Sequence, residues 1–219
     1  MHLNRAIVLT FIVIASAALS SGCASTGIAV REQLGFAKRE QLVDRVEEAR
    51  DEQEEAKVQF ATTLDEFKSL TGFDGAELES TYRRLKKELD RSEDAADDVS
   101  GRITAVERVG NAMFREWEDE LDLYATASLR SASEQQLTET RGTYTDLLNA
   151  MKRAESSMAP VLAAFGDQVL FLKHNLNARA IASLDETVVE LEDEIGRLID
   201  QMNASIAEAD AFIGQLGTG

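Results

Sequence analysis

The sequence predicts an all-α protein: an elongated antiparallel four-helix bundle, or coiled coil, that follows an N-terminal signal segment. Apolar residues recur in alternating steps of four and three along most of the chain, which is the heptad spacing of helices with one buried face. Charged residues make up 29% of the chain and aromatic residues 6%, with a single proline, a composition that favours long helices. Turn signals divide the heptads into four segments.

The first 22 residues have the order of a secretory signal. A positive charge at Arg5 precedes an apolar run, and small residues lead to Cys23, the only cysteine. This is the position of the acylated cysteine in a bacterial lipobox, although Ser20 stands where lipoboxes usually carry leucine. We therefore predict a signal peptide over 1–22 and a lipid at Cys23. The alternatives are an ordinary cleaved signal and a membrane anchor, for which the apolar run is short of the roughly 20 residues required.

The charge of the chain restricts its partners. Its net charge is −17, and loss of Arg5 with the signal peptide makes the mature chain more acidic still. Such a chain repels nucleic acids and anionic lipid headgroups, so we expect no nucleic-acid partner. A chain with one cysteine cannot form an internal disulfide, and packing must therefore hold the fold together.

We expect a linker over 23–29 and, after it, a single elongated helical domain over 30–216. The first heptad stripe comprises Leu42, Val46, Ala49, Gln53, Ala56, Phe60, Thr63, Phe67 and Leu70. A turn at 71–75 ends this helix, because two glycines and an aspartate lie within it. The second stripe comprises Leu78, Tyr82, Leu85, Leu89, Ser92, Ala96, Val99, Ile103, Val106, Gly110, Met113 and Trp117, continued by Leu121 and Tyr124 after one extra residue.

The third helix is expected after a break at 128–133, with Ser133 as its N-cap. Its stripe comprises Leu137, Arg141, Tyr144, Leu148, Met151, Glu155, Met158, Leu162, Phe165, Val169, Leu172 and Leu176. Pro160 leaves two alternatives, one kinked helix or two helices that meet before the proline. The unbroken heptad phase favours the kinked helix.

The fourth helix is expected after a turn at 175–177 and before a tail at 217–219. Its stripe comprises Ile181, Leu184, Val188, Leu191, Ile195, Leu198, Met202, Ser205, Ala209, Phe212 and Leu216. Short connections between long helices make successive helices antiparallel neighbours.

Candidate catalytic chemistry is sparse. His174 is the only histidine of the mature chain, and a histidine at a helix C-terminus is favoured by the helix dipole, so we do not expect it to bind a metal. No Glu-x-x-His pair, nucleophile elbow or glycine-rich phosphate loop is present. The acidic pairs at 47–48, 54–55 and 97–98 are typical of solvated helix faces with basic partners nearby. We predict neither catalytic residues nor cofactors.

One segment departs from the simple stripe, because four apolar residues follow one another over 169–172. A helix with this sequence is apolar all round. Either neighbouring helices cover it on several sides, or it forms a patch for a partner protein or for self-association. The candidate patch consists of Leu170, Phe171, Leu172, His174 and Asn175.

The segments Leu42–Asp51 and Phe171–Ala178 resemble a family of bacterial lipoproteins of unknown function, domain of unknown function 2959. The resemblance covers nearly all of the mature chain and includes the signal with its cysteine. It implies a Gram-negative envelope protein and carries over no catalytic residue. Ala24, rather than aspartate, after the cysteine implies the outer membrane, with the protein facing the periplasm.

These features favour a non-enzymatic envelope lipoprotein that acts as a helical scaffold or adaptor, held to the membrane by its N-terminal lipid. The alternative is a regulatory or small-ligand-binding module of the envelope, with its ligand between helices near Phe171 and His174. A metal-dependent enzyme is the third possibility.

Overall fold

The structure is a computed structural model. It describes the backbone of residues 23–69, 78–175 and 178–217, and the side chains of 38–69, 79–175 and 188–216. The four helices of these segments are α1 (Cys23–Lys68), α2 (Leu78–Leu121), α3 (Ala127–His174) and α4 (Ala178–Gly217). The described residues contain no strand, and the predicted all-α fold is confirmed.

The chain divides into two compact units, Met1–Ala37 and Lys38–Gly219. The first unit contributes residues 23–37, which are helical and begin α1. Helix α1 therefore begins seven residues before the expected start at Val30. The residues predicted as a linker, 23–29, are therefore helical. No proline lies among them to prevent the helix from starting at Cys23. The second unit contains the rest of α1 and the other three helices.

Cross-links between α1 and its two neighbours show that α2 and α4 both run antiparallel to α1. On the α2 side, Lys38 pairs with Glu116 at 2.8 Å, and near the other end of α1 Gln59 donates to Glu88 at 3.1 Å. On the α4 side, Arg50 pairs with Asp210 at 3.0 Å. Lys57 donates to Asn203 at 3.1 Å, and Lys68 pairs with Glu192. As residue numbers rise along α1, those of its partners fall.

Helix α3 has the same two neighbours. Arg141 reaches Glu118 of α2 at 2.6 Å, and Lys152 reaches Glu107 at 3.0 Å. The ring of Tyr144 lies 6.2 Å from that of Phe212 on α4. Across the core, Phe67 of α1 stacks on Phe165 of α3 with ring centroids 5.0 Å apart. The second unit is thus an antiparallel four-helix bundle in which α1 and α3 lie diagonally opposite each other.

The core confirms most of the predicted heptad stripes. All stripe residues of α1 from Leu42 to Phe67 are buried, and so are those of α4 from Val188 to Leu216. In α3, however, every second predicted position between Leu137 and Phe165 is wrong by one residue. The buried residues there are Thr140, Leu147, Ala154 and Val161, in place of the expected Arg141, Leu148, Glu155 and Leu162. This register keeps two charged side chains, which are expensive to bury, out of the core.

The connection between α2 and α3 differs from the prediction. The break lies at 122–126, and residues 128–133 belong to α3. Ser133 is therefore not an N-cap; its hydroxyl accepts a hydrogen bond from the indole Nε1 of Trp117 at 2.9 Å. Tyr124, expected on the second stripe, is exposed in this connection.

Pro160 lies inside α3, and the alternative of two separate helices is wrong. Its ring is exposed, where the loss of one backbone hydrogen bond is least costly because water can solvate the freed carbonyl. Asn175 ends α3, as expected. The predicted turn at 71–75, the tail residues 218–219 and the signal peptide over 1–22 lie outside the described residues.

Candidate functional site

The last turn and a half of α3 carries the residues of the predicted partner patch. Leu172 is buried in the core, whereas Leu170 is 54% exposed and Phe171 41% exposed. His174 is exposed and Asn175 half-buried. Neighbouring helices therefore do not cover the whole apolar run. We call the exposed pair Leu170 and Phe171 the α3 end patch.

The end of α3 is closed by its own hydrogen bonds. The backbone N–H of Asn175 donates to the carbonyls of Phe171 and Leu172, at 3.0 and 3.2 Å. Its side-chain Nδ2 donates to the carbonyl of Phe171 at 3.0 Å. Lys173 and His174 occupy the last turn, where positive charge is favoured by the helix dipole. The α3 end patch thus sits on a completed helix terminus whose backbone geometry is fixed.

A second exposed apolar group lies at the opposite end of α3, around the connection from α2. Its members are Leu123, Tyr124 and Leu129, each more than two-fifths exposed. We call these three residues the α2–α3 tip. Sequence reasoning missed it, because Tyr124 was assigned to the buried stripe and the two leucines to no surface. The sequence does contain an indication of this surface: Leu123 and Leu129 lie outside the heptad stripes and next to a break between helices.

The α2–α3 tip is held in place by a short turn and by ion pairs. Within the turn, the N–H of Leu123 donates to the carbonyl of Glu120 at 3.0 Å. Arg130 pairs with Asp122 and with Glu134, both at 3.0 Å. The Glu134 carboxylate raises the pKa of Arg130 above its ordinary value. These contacts join the end of α2 to the first turn of α3, so the apolar side chains project from a braced surface.

Farther along α3 from the tip, Arg141 is paired with an acidic residue of α2. Arg141 donates to Glu118 at 2.6 Å, and this hydrogen bond lowers the pKa of the Glu118 carboxyl below its ordinary value. The guanidinium of Arg141 also lies 5.0 Å from the ring centroid of Phe114, a distance at which a cation is attracted to an aromatic face. Arg141 was predicted to face the core; instead it lies at the α2–α3 groove, where its charge has partners.

The remaining predicted site residue is Cys23. It is the first residue of α1, and its side chain lies outside the described residues. Among the residues that the structure describes, no three His, Cys, Asp or Glu side chains are grouped so that they could hold a metal ion. Within the same residues, no helix combines the length and apolar character needed to span a membrane.

The family of the chain follows from comparison of its sequence with family models. The model described as Protein of unknown function (DUF2959) matches residues 28–216. That range includes all of α2 and α3, the α3 end patch and the α2–α3 tip. No curated protein and no solved structure matches the chain. The match extends over far more than half of the sequence, and this chain therefore belongs to the DUF2959 family.

Proposed function

We propose that this chain is a non-enzymatic lipoprotein of the outer membrane that faces the periplasm and acts as a helical adaptor. The observation that carries the proposal is the presence of exposed apolar side chains at both ends of one continuous helix, α3. Clustered exposed apolar side chains are typical of surfaces that bind another protein. The sequence around Cys23 supports attachment to the membrane by a lipid.

The α3 end patch supports docking of a partner protein. Phe171 and Leu170 follow each other on the helix and spread over its outward surface, while Leu172 fixes the helix to the core. Complete burial of a leucine or phenylalanine side chain contributes about 1.5–3 kcal/mol. Because the helix is already folded and capped, a partner that covers these side chains would not also have to order the backbone.

The spacing of the two patches supports an adaptor role. Leu129 and Leu170 lie on the same 48-residue helix, and the sequence separation between them corresponds to about 60 Å at about 1.5 Å per residue. The helix is continuous through Pro160. Two contacts made at these positions would thus be held apart by a fixed helical spacer, and this arrangement suits a protein that connects two others.

Photo-crosslinking in intact cells tests the proposal. A photoreactive amino acid is introduced in place of Phe171, and the matched control carries it in place of Val58, an exposed apolar residue of α1. We expect a discrete crosslinked product at 171, either with one partner protein or with a second copy of this chain. Identical crosslinking at 171 and 58 would contradict the proposal, because it would show that the α3 end patch binds nothing selectively.

A further inference from the structure

Three unpartnered polar atoms lie in the middle of the bundle core. Gln53 on α1 and Ser205 on α4 are both fully buried, with 0% of each exposed. Neither the amide oxygen nor the amide nitrogen of Gln53 has a hydrogen-bond partner, and the same is true of the Ser205 hydroxyl. A buried polar group without a partner destabilises the fold, because it has lost its hydrogen bonds to water. A ligand that bonds all three atoms would remove this cost.

The register of the bundle places the two residues in one layer. Arg50 pairs with Asp210 at 3.0 Å, and Lys57 donates to Asn203 at 3.1 Å. These cross-links lie on either side of Gln53 and Ser205 along the two helices. Interpolation between them leaves Gln53 and Ser205 about 3 Å apart along the bundle axis, at about 1.5 Å per residue. Both residues belong to the buried stripe of their helix, so their side chains enter the same part of the core.

The stripe neighbours of Gln53 and Ser205 are uncharged, and three of the four are small. Ala49 and Ala56 flank Gln53 on α1, and Met202 and Ala209 flank Ser205 on α4; all four are fully buried. Alanines leave more room around a glutamine amide than leucines would. Among the described residues no acidic or basic side chain is buried in the core, so a bound ion would lack a compensating charge and would be strongly disfavoured.

We propose that the Gln53–Ser205 layer is a binding site for one internal water molecule. Buried waters typically make about three hydrogen bonds to polar groups that lack other partners, and this layer offers three atoms. The water donates to the Gln53 Oε1 and accepts from the Gln53 Nε2, and its third bond is made with the Ser205 Oγ. The buried hydroxyls of Thr63 and Ser92 do not need such a water, since they bond each other at 2.8 Å.

The test is nuclear magnetic resonance of the mature chain with ¹⁵N-labelled glutamine side chains. We expect the Gln53 amide protons to show a cross-peak with water whose sign marks a residence time longer than molecular tumbling. Gln59 is the internal control, because its amide already donates to Thr63 and Glu88, at 3.1 Å each. It should show no such long-lived water. Absence of the long-lived signal at Gln53 would overturn the proposal.

A serine hydroxyl close to the Gln53 amide also gives a cross-peak at the water frequency, because its proton exchanges with water. The variant Ser205→Ala removes this hydroxyl. The water keeps both Gln53 atoms as partners in this variant, so we expect the Gln53 cross-peak to persist. Disappearance of the cross-peak would overturn the proposal.

A crystal structure at high resolution is a second test. One isolated density peak within hydrogen-bond distance of Gln53 and Ser205 would support the water site. A direct Gln53–Ser205 hydrogen bond, or a larger bound molecule, would refute it.

Discussion

The ring of Tyr144 on α3 lies directly over Gly110 on α2. A Cβ atom at residue 110 would lie 2.5 Å from the Cζ and the hydroxyl oxygen of Tyr144, well inside van der Waals contact. Tyr144 is also packed edge-on against Phe114, with ring centroids 5.1 Å apart. The absence of a side chain at Gly110 is therefore what allows α2 and α3 to pack around this aromatic ring.

Gly110→Ala is expected to destabilise the bundle by about 1–3 kcal/mol, the usual cost of overpacking a core. The matched control is Gly101→Ala in the same helix, where an added Cβ meets no atom within 4 Å. That variant should instead stabilise the protein by about 0.5–1 kcal/mol, since alanine is the better helix former. Urea unfolding of both variants measures the difference. Equal effects at the two glycines would contradict the packing described.

Tyr144 should make stability fall in alkaline solution. Burial, with a smaller contribution from Glu107, raises the pKa of its phenol from 10.0 to about 12. The unfolded chain therefore releases this proton first, and over this pH range it binds fewer protons than the folded chain. The free energy of unfolding then decreases as pH rises from about 10 to about 12. Urea unfolding across this range should show a shallower decrease for Tyr144→Phe; an unchanged slope would refute the assignment.

Phe165 should be among the residues whose truncation costs most. It is fully buried, and its ring stacks with Phe67 at 5.0 Å and with Phe60 at 6.5 Å. We expect Phe165→Ala to lower the free energy of unfolding by about 3–5 kcal/mol. The control is Phe171→Ala on the same helix, whose ring is exposed; its effect should stay within about 1 kcal/mol. Comparable losses would mean that Phe171 belongs to the core.

The hydroxyls of Thr63 and Ser92 should be energetically coupled. They lie 2.8 Å apart at the α1–α2 interface, and both residues are fully buried. Thr63→Val leaves the Ser92 hydroxyl without this partner, at a cost of about 1–3 kcal/mol. Adding Ser92→Ala removes the stranded group, so the double variant should lose less than the sum of the two single variants. A double-mutant cycle measures the coupling, and strict additivity would contradict it.

The heptad pattern predicted α1 and α4 well because their buried residues keep one phase throughout. In α3 it placed every second core position between Leu137 and Phe165 one residue too late, because Thr140, Leu147, Ala154 and Val161 are buried instead of Arg141, Leu148, Glu155 and Leu162. Two apolar residues stand side by side at 147–148 and at 161–162, so the sequence fits steps of three and four as well as steps of four and three. The serine-rich stretch 128–133 predicts a break, but it is helical and two contacts tie it to the end of α2: the Trp117–Ser133 hydrogen bond and the Arg130–Asp122 ion pair.

The candidate patch shows what periodicity alone leaves open. Four consecutive apolar residues over 169–172 indicate an unusual segment, but their order does not say which face outward. Packing decides this: Val169 and Leu172 enter the core, and Leu170 and Phe171 remain exposed. The sequence also does not predict that the side chains of the α2–α3 tip are exposed. Their exposure depends on where the connection begins, and that boundary was misplaced by several residues.

Subcellular fractionation of Cys23→Ser tests whether a lipid at Cys23 attaches the protein to a membrane, as we propose. We expect the wild-type protein in the membrane fraction, with an acylated N-terminal Cys23 detected by intact mass. The variant should lose the acyl mass and move to the soluble fraction, since no lipid is then available to bury in the bilayer. Membrane fractionation of Cys23→Ser equal to that of the wild type would show that a lipid at Cys23 does not hold the protein at the membrane.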